Sequence, residues 1–405
     1  MAFFQSVYRM YCRIYQAVAK VIILLLPWRE PELLEGENSL LQLPNLLKRE
    51  GVLKPLIVTD RGIMEVGLMD ALLERLEEEG IRYTIYDGTV PNPTINNIEE
   101  AVSLYEKSNC DGIIAFGGGS PIDCAKLTGA RIVKPRKKVE KMHGLFKVLK
   151  RLPPLFVVPT TAGTGAEATL AAVFTNSDTN EKFPVMDISI IPHFAVLDPL
   201  LTLKLPPHIT AETGMDALTH AVEAYIGRSN TKNTEKWAIK ATKLIFDNIY
   251  EAYANGDNIE ARKNMQKAAY YGGMAFTRAF VGYVHAIAHQ VGGFYNVPHG
   301  LANAVILPEV LEYYGESVHE RLAELADIVG ITEDGDSTAE KAKKFIEAIR
   351  DLNRKMKIPN KLKGIMDEHI PVMVERALDE ANPLYPVPRV LHEADISRLY
   401  NSIRV

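Results

Sequence analysis

Between residues 54 and 199 the chain alternates short β-rich runs with stretches of helical periodicity, and no other feature restricts its fold as strongly. Residues 54–60 (KPLIVTD) read as a buried strand, 67–79 as a helix ended by Gly80, 82–86 as a second strand and 98–107 as a second helix. A third strand, 112–116, runs into Gly117-Gly118-Gly119-Ser120, and another, 155–158, ends at Pro159-Thr160-Thr161. Strands that alternate with helices imply βαβ crossovers and a mainly parallel sheet. Residues 167–187 differ: β-favouring halves flank Asn176-Ser177-Asp178, which predicts a hairpin. After Pro206-Pro207 the spacing becomes helical throughout, over 210–225, 235–254, 259–280 and 337–357. Ser337 and Glu340 form a capping box for the last of these. The expected layout is an amphipathic helix over 1–28, an α/β domain over 29–200 and an all-helical domain over 201–405.

A length of 405 residues suits two or three domains, and a net charge of −5 argues against nucleic acid as a partner. The cysteines, Cys12, Cys110 and Cys124, form neither a disulfide framework nor a zinc-knuckle spacing, so a reducing cytoplasm is the simplest compartment. The basic stretch 131–151 reads as solvated surface.

The first 28 residues are the compositional exception. Gln5, Arg9, Arg13, Gln16 and Lys20 recur every three or four positions among aromatic and aliphatic residues. As a helix this gives a narrow cationic stripe and a very wide apolar face. The apolar run 21–26 is far shorter than the roughly 20 residues a bilayer span requires. Two readings stay open: a helix packed on the body or on a subunit partner, slightly favoured, and an interfacial helix giving peripheral membrane contact.

Two loops suggest a nucleotide. Gly117-Gly118-Gly119-Ser120 follows a strand and precedes a helix carrying Asp123 and Lys126, so backbone N–H groups and a helix N-terminus would face an anion. It is not the GxGxxG fingerprint, and a plain tight turn would look the same. Thr160-Thr161-Ala162-Gly163-Thr164-Gly165 also follows a strand and adds hydroxyls. Two such loops at strand ends suit the sheet-edge crevice where nucleotides bind. Asp60 ends the first clear strand, where its carboxylate would accept from a ribose diol and disfavour a 2′-phosphate, or simply cap the next turn.

A second group suggests a metal. Asp216 and His220 lie four apart on one helix, His285 and His289 repeat that spacing, and His299 follows on a turn. Four of the ten histidines fall between 220 and 299. Imidazole with carboxylate suits zinc, ferrous iron or manganese.

Taken together, GGGSPIDCAK (117–126), PTTAGTGAEAT (159–169), TGMDALTHAVEAY (213–225) and HAIAHQVGGFYNVPHG (285–300) resemble the iron-containing (group III) alcohol dehydrogenase family, over roughly residue 55 to the C-terminus. The resemblance implies an α/β N-terminal nucleotide-binding domain plus an all-α C-terminal metal-binding domain, a dehydroquinate synthase-like architecture, with a cleft holding the active site. It implies NAD and Fe2+, or another divalent metal such as Zn2+, as cofactors. Asp216, His220, His285 and His299 resemble the family's metal ligands, and His289 its non-ligand active-site histidine. Asp60 stands at the adenosine-ribose position, and Gly118, Gly119, Ser120 and Asp123 in the pyrophosphate loop. Thr160, Thr161 and Thr164 match the second cofactor loop, with Lys182 as a further cofactor contact. A small alcohol or aldehyde substrate and at least a homodimer are implied.

The chain departs from the family at Thr277-Arg278, where members that act on small diols tend to have a Ser-Asn-like pair, and at the bulky Phe280 and Tyr283. Arg278 could reach an anionic substrate, although a structural role is favoured. The expected activity is a metal-dependent NAD(H) oxidoreductase interconverting a primary or secondary alcohol and its aldehyde or ketone. The alternative is a dehydroquinate-synthase-type lyase or cyclase. That group typically ligates its metal with a Glu and two histidines, so Asp216 with three histidines argues against it.

Overall fold

The computed structural model describes residues 2–176 and 181–405, without the side chains of residues 2–4 and 181. Nine strands are described: β1 (Glu32–Glu35), β2 (Pro55–Val58), β3 (Thr84–Tyr86), β4 (Gly112–Gly117), β5 (Gly144–Leu145), β6 (Leu155–Pro159), β7 (Ala171–Asn176), β8 (Glu181–Met186) and β9 (Phe194–Leu197). The helices begin with α1 (Ala2–Leu25), α2 (Leu43–Arg49), α3 (Arg61–Glu65), α4 (Asp70–Glu78), α5 (Ile95–Lys107) and α6 (Gly119–Val133). After the last strand come α7 (Pro207–Ile226), α8 (Lys232–Ala254), α9 (Ile259–Ala279), α10 (Tyr283–Tyr295) and α11 (His299–Tyr314). The chain closes with α12 (His319–Val329), α13 (Thr338–Lys355), α14 (Ile370–Ala381) and α15 (Glu393–Ile403). Two compact units result, one of Pro27–Leu205 with Asp257–Gln266, the other of Met1–Leu26, Pro206–Gly256 and Lys267–Val405.

In the α/β unit six parallel strands run in the order β1-β9-β6-β4-β2-β3. Strands β2, β4, β6 and β9 are buried on both faces, as helices on both sides of a parallel sheet require. Alternate residues serve the two layers. Leu56, Ile113, Ala115, Leu155 and Val157 meet α5 and α6 residues such as Ile98, Leu127 and Ala130. Ile57, Ile114, Phe116, Phe156 and Val158 meet Leu43, Leu47, Leu72 and Leu76 of α2 and α4 on the other face. The hairpin expected over 167–187 forms as the antiparallel pair β7–β8, and β8 also pairs in parallel with β5 in a separate three-stranded sheet. Its turn lies outside the described residues. Lys126 joins the hairpin to α6: its buried ammonium donates at 2.8 Å to Thr169 O, Thr169 Oγ1 and Ala171 O.

The helical unit is organised on α7, nearly all of which is buried. A helix hidden on every side belongs inside a bundle rather than on its surface. The Ser337–Glu340 capping box opens α13 as expected.

Helix α1 docks with its polar stripe inward, the reverse of what an amphipathic helix usually does. Arg13 donates to Val387 O at 2.7 Å and Pro388 O at 2.8 Å, and Gln16 to Tyr385 O at 2.7 Å and Pro383 O at 3.2 Å. Lys20 reaches Arg228 O at 3.2 Å. The physical reason lies in the proline-rich segment 383–388, which carries carbonyls but few N–H groups and is satisfied by side-chain donors. Met10, Ile14, Val18, Val21 and Leu25 consequently point outward and are exposed. Among the described residues no helix is long and apolar enough to cross a membrane. Replacing Arg13 and Gln16 together by Ala removes four docking hydrogen bonds, each contributing about 1–2 kcal/mol. Limited proteolysis should then cut within residues 1–26 at least tenfold faster (about 1.4 kcal/mol or more of the docking energy lost) while the remaining chain stays folded. An unchanged cleavage rate would contradict this mode of docking.

Candidate functional site

In the α/β unit the strand order reverses between β2 and β4: the chain goes outward from β2 to β3, then returns to place β4, β6 and β9 on the other side. Ligands of open α/β sheets bind at such a reversal, outside the carboxyl ends of the strands. Asp60 follows β2 there, and Gly117 ends β4 with Gly118 and Gly119 directly after it. Asp60 Oδ1 accepts the Ile63 N–H at 3.0 Å, so this carboxylate caps α3. Gly118 is the N-cap of α6 and supplies no side-chain cap, which leaves that helix's first N–H groups for another acceptor.

The two glycine-bearing loops lie against one another. Thr160 N–H donates to Gly117 O at 3.0 Å. A Cβ on Gly119 would meet Thr164 Cγ2 at 2.9 Å, so the second loop occupies the space that a side chain would need. Thr161 approaches a Cβ on Gly118 at 3.4 Å. Ser120 Oγ accepts the Asn92 N–H at 3.1 Å. Asp123 faces the hairpin, where Oδ2 accepts the Val173 N–H at 3.0 Å, and burial pushes its carboxyl up to about 6. Lys182 stands on β8 in register with Thr175 of β7. Structure thus gathers Asp60, Gly118, Gly119, Ser120, Thr160, Thr161 and Thr164 at neighbouring strand ends and gives Asp123 a structural bond.

In the helical unit Asp216, His220 and His285 each offer one ligand atom, and these atoms lie within 4.8 Å of one another. All three residues are buried. The i,i+4 spacing on α7 aims Asp216 and His220 the same way, as the sequence suggests. His220 lies between Phe276 of α9, with ring centroids 4.2 Å apart, and His285 of α10, at 4.5 Å. His299 opens α11, its Nε2 3.5 Å from Asp216 Oδ1. This approach needs Gly300: a Cβ there would lie 2.2 Å from Glu212 O on α7, a clash with backbone that nothing could relieve.

Asn303, one turn along α11 from His299, tests whether this group suits a cation. Its amide nitrogen is 2.7 Å from Asp216 Oδ1, 3.1 Å from His299 Nε2 and 3.3 Å from His285 Nε2. Three acceptor atoms therefore converge on one electropositive group in a buried position. An oxygen and imidazole nitrogens so arranged fit a divalent first-row metal.

Outside the donor set two carboxylates orient the histidines. Glu223 Oε2 is 2.6 Å from His285 Nδ1, while Oε1 accepts the Val284 N–H at 2.8 Å. Burial pushes Glu223 up to about 8, and burial with the neighbouring imidazoles holds His285 well below its ordinary range. A proton held between Oε2 and Nδ1 leaves the His285 Nε2 lone pair for a metal. His289 Nδ1 is 2.6 Å from Glu380 Oε1, which also accepts the Tyr385 hydroxyl at 3.0 Å. The His289 ring stacks on that of His299 at 5.1 Å.

Glu223, Asn303 and Glu380 are absent from the sequence expectation. Glu223 stands three residues after His220 and Asn303 four after His299, so helical spacing carried a signal for both. Glu380 lies 91 residues from its histidine, beyond any local pattern. Of the residues that depart from the family pattern, Arg278 rests its guanidinium 4.6 Å from the Trp237 ring centre, in keeping with the favoured structural role. Tyr283 is wholly buried, its hydroxyl 2.8 Å from Asn382 Oδ1 and 3.0 Å from Leu391 N, which makes it a packing residue.

The family models for "Iron-containing alcohol dehydrogenase" and "Fe-containing alcohol dehydrogenase family, C-terminal" match residues 31–199 and 210–404. The chain belongs to the iron-containing alcohol dehydrogenase family. It is similar to a 1,3-propanediol dehydrogenase of Citrobacter freundii, at 40% identity over 90% of this chain and 95% of that one. Among solved structures it is similar to an alcohol dehydrogenase from Oenococcus oeni, with TM-score 0.89 and 39% identity over 93% of this chain and 99% of that one. A sulfoacetaldehyde reductase from Bifidobacterium kashiwanohense in complex with NAD+ matches with TM-score 0.82 and 26% identity, over 94% of this chain and 98% of that one. The chain is accordingly an NAD- and iron-dependent oxidoreductase of alcohols and aldehydes, and the lyase alternative is not favoured. Residues 1–30 precede the family match.

Glu223→Gln should weaken ferrous iron binding about 10- to 100-fold, as loss of a partner to a ligating histidine does. Competition with a chromogenic chelator measures it, and unchanged affinity would contradict the orienting role.

Proposed function

We propose that this enzyme interconverts a short, uncharged primary or secondary alcohol and its aldehyde or ketone, with iron held by Asp216, His220, His285 and His299. The carrying observation is the convergence of buried oxygen and nitrogen donors from α7 and α10, with half-buried His299 of α11 beside them. When bound, iron supplies Lewis acidity toward the substrate oxygen and the nicotinamide supplies the hydride acceptor.

The remaining work falls to the chain. The α/β unit is assigned the dinucleotide: Asp60 for the adenosine ribose, Gly118, Gly119 and Ser120 for the pyrophosphate, with Asp123 bracing that loop's helix against Val173, and Thr160, Thr161, Thr164 and Lys182 for the rest. His289 is assigned the proton. With Nδ1–H held by Glu380, its Nε2 is the nitrogen that exchanges a proton with the substrate oxygen. Arg278, against Trp237, is read as part of the helical packing, which favours uncharged substrates. A cytoplasmic homodimer is the proposed working form, with α1 as its additional contact surface.

His285→Ala should abolish stoichiometric iron binding and turnover together, read by metal analysis and NADH oxidation. Full iron content in that variant would refute the ligand assignment. Asp60→Gly should lower the NAD/NADP preference by roughly tenfold, about 1.4 kcal/mol of discrimination. An unchanged ratio would remove Asp60 from the ribose.

A further inference from the structure

The face that α1 turns outward is an interaction surface. Val7, Tyr8, Met10, Tyr11, Ile14, Tyr15, Val18, Val21, Ile22, Leu24 and Leu25 are between 37% and 80% exposed. At about half exposure each they present roughly 1,000 Å2, more than the roughly 300–600 Å2 of the largest patch on a typical monomer. Val7, Tyr11, Ile14, Val18, Val21 and Leu25 supply just over half of it, short of the roughly 800 Å2 per partner of a standard interface, so they suit one contact within a larger one.

Spacing and charge together say what covers it. Val7, Tyr11, Ile14, Val18, Val21 and Leu25 follow one another at intervals of four, three, four, three and four residues, the 3.5-residue repeat of a helix–helix seam. A helix lying in a bilayer surface shows the same one-sided spacing, so the charges discriminate. The cationic side chains that would meet lipid headgroups are engaged elsewhere, since Arg13 and Lys20 donate to carbonyls of the body.

Two-fold pairing of an antiparallel kind, centred near Gln16, would set Val7 against the partner's Leu25, Tyr11 against the partner's Val21 and Ile14 against the partner's Val18. Each layer then joins a valine to a larger side chain, so the filled volume stays even along the seam. Parallel pairing would stack Tyr11 on its own copy and valine on valine elsewhere, leaving layers of unequal size. Such an antiparallel contact is isologous and closes on itself as a dimer.

We infer that α1 is a self-association helix that packs antiparallel against α1 of a second copy of this chain through the seam Val7–Tyr11–Ile14–Val18–Val21–Leu25. The inference rests on the homodimer proposed above and specifies one of its contacts.

Cysteine trapping in the full-length protein tests it, with diamide as the oxidant and sedimentation velocity run in parallel. The native cysteines are buried. Tyr11→Cys/Val21→Cys should give a reducible covalent dimer, and adding Ile14→Glu should cut its yield at least tenfold. Tyr11→Cys alone should not cross-link, because two copies of that residue would lie about 15 Å apart along an antiparallel pair, beyond disulfide reach. Cross-linking by Tyr11→Cys alone would overturn the antiparallel arrangement. A dimer by sedimentation with no cross-link in the double variant would overturn the α1 contact and leave the homodimer standing, whereas a monomer would overturn both. Flotation of a monomeric chain with vesicles of phosphatidylcholine and phosphatidylglycerol would overturn the inference in favour of a lipid surface.

Discussion

The helical unit brings Asp216, His220 and His285 from two helices to one buried point, with half-buried His299 of a third beside them, and the proposed metal chemistry depends on that convergence. Such a cluster of acceptors is unfavourable on its own, since desolvated lone pairs repel and lack donors. The chain meets that cost with close backbone packing and with paired outer groups. Gly300 lets α11 press on α7 at Glu212, Phe276 and His285 flank the His220 ring, Glu223 holds His285 from behind, and the Asn303 amide stands where the acceptor atoms meet. Each contact fixes a direction as well as a distance, which is what a coordination site requires.

The α/β unit obeys a different constraint. Its parallel sheet reverses order between β2 and β4, and the loops that follow β2, β4 and β6 carry the residues suited to a dinucleotide. Glycine there makes room for threonine: Thr164 and Thr161 fill the space beside Gly119 and Gly118. The loops therefore form one shaped surface, and substitution in either is felt by the other.

Much of this was legible in the sequence, because strand–helix alternation and i,i+4 pairs are local signals. The hairpin over 167–187, the capping box at Ser337 and the shared direction of Asp216 and His220 follow from neighbours along the chain, whereas His285 joins them from another helix. What local patterns miss is set by partners far away. The four-residue edge strand β1, with its ends exposed, carries no buried run to announce it. Glu380 serves a histidine 91 positions distant. The orientation of α1 was hidden for the same reason: its stripe docks because carbonyls of the segment 383–388 need donors, a demand invisible from residues 1–28.

Turnover by metal-stripped protein, reloaded anaerobically with ferrous iron, zinc or manganese and offered short aldehydes with NADH, tests the central claim most directly. The account predicts no activity in the stripped protein and its return with metal, ferrous iron foremost. NADH oxidation that persists without metal, or that no metal restores while NAD still binds tightly, would contradict it.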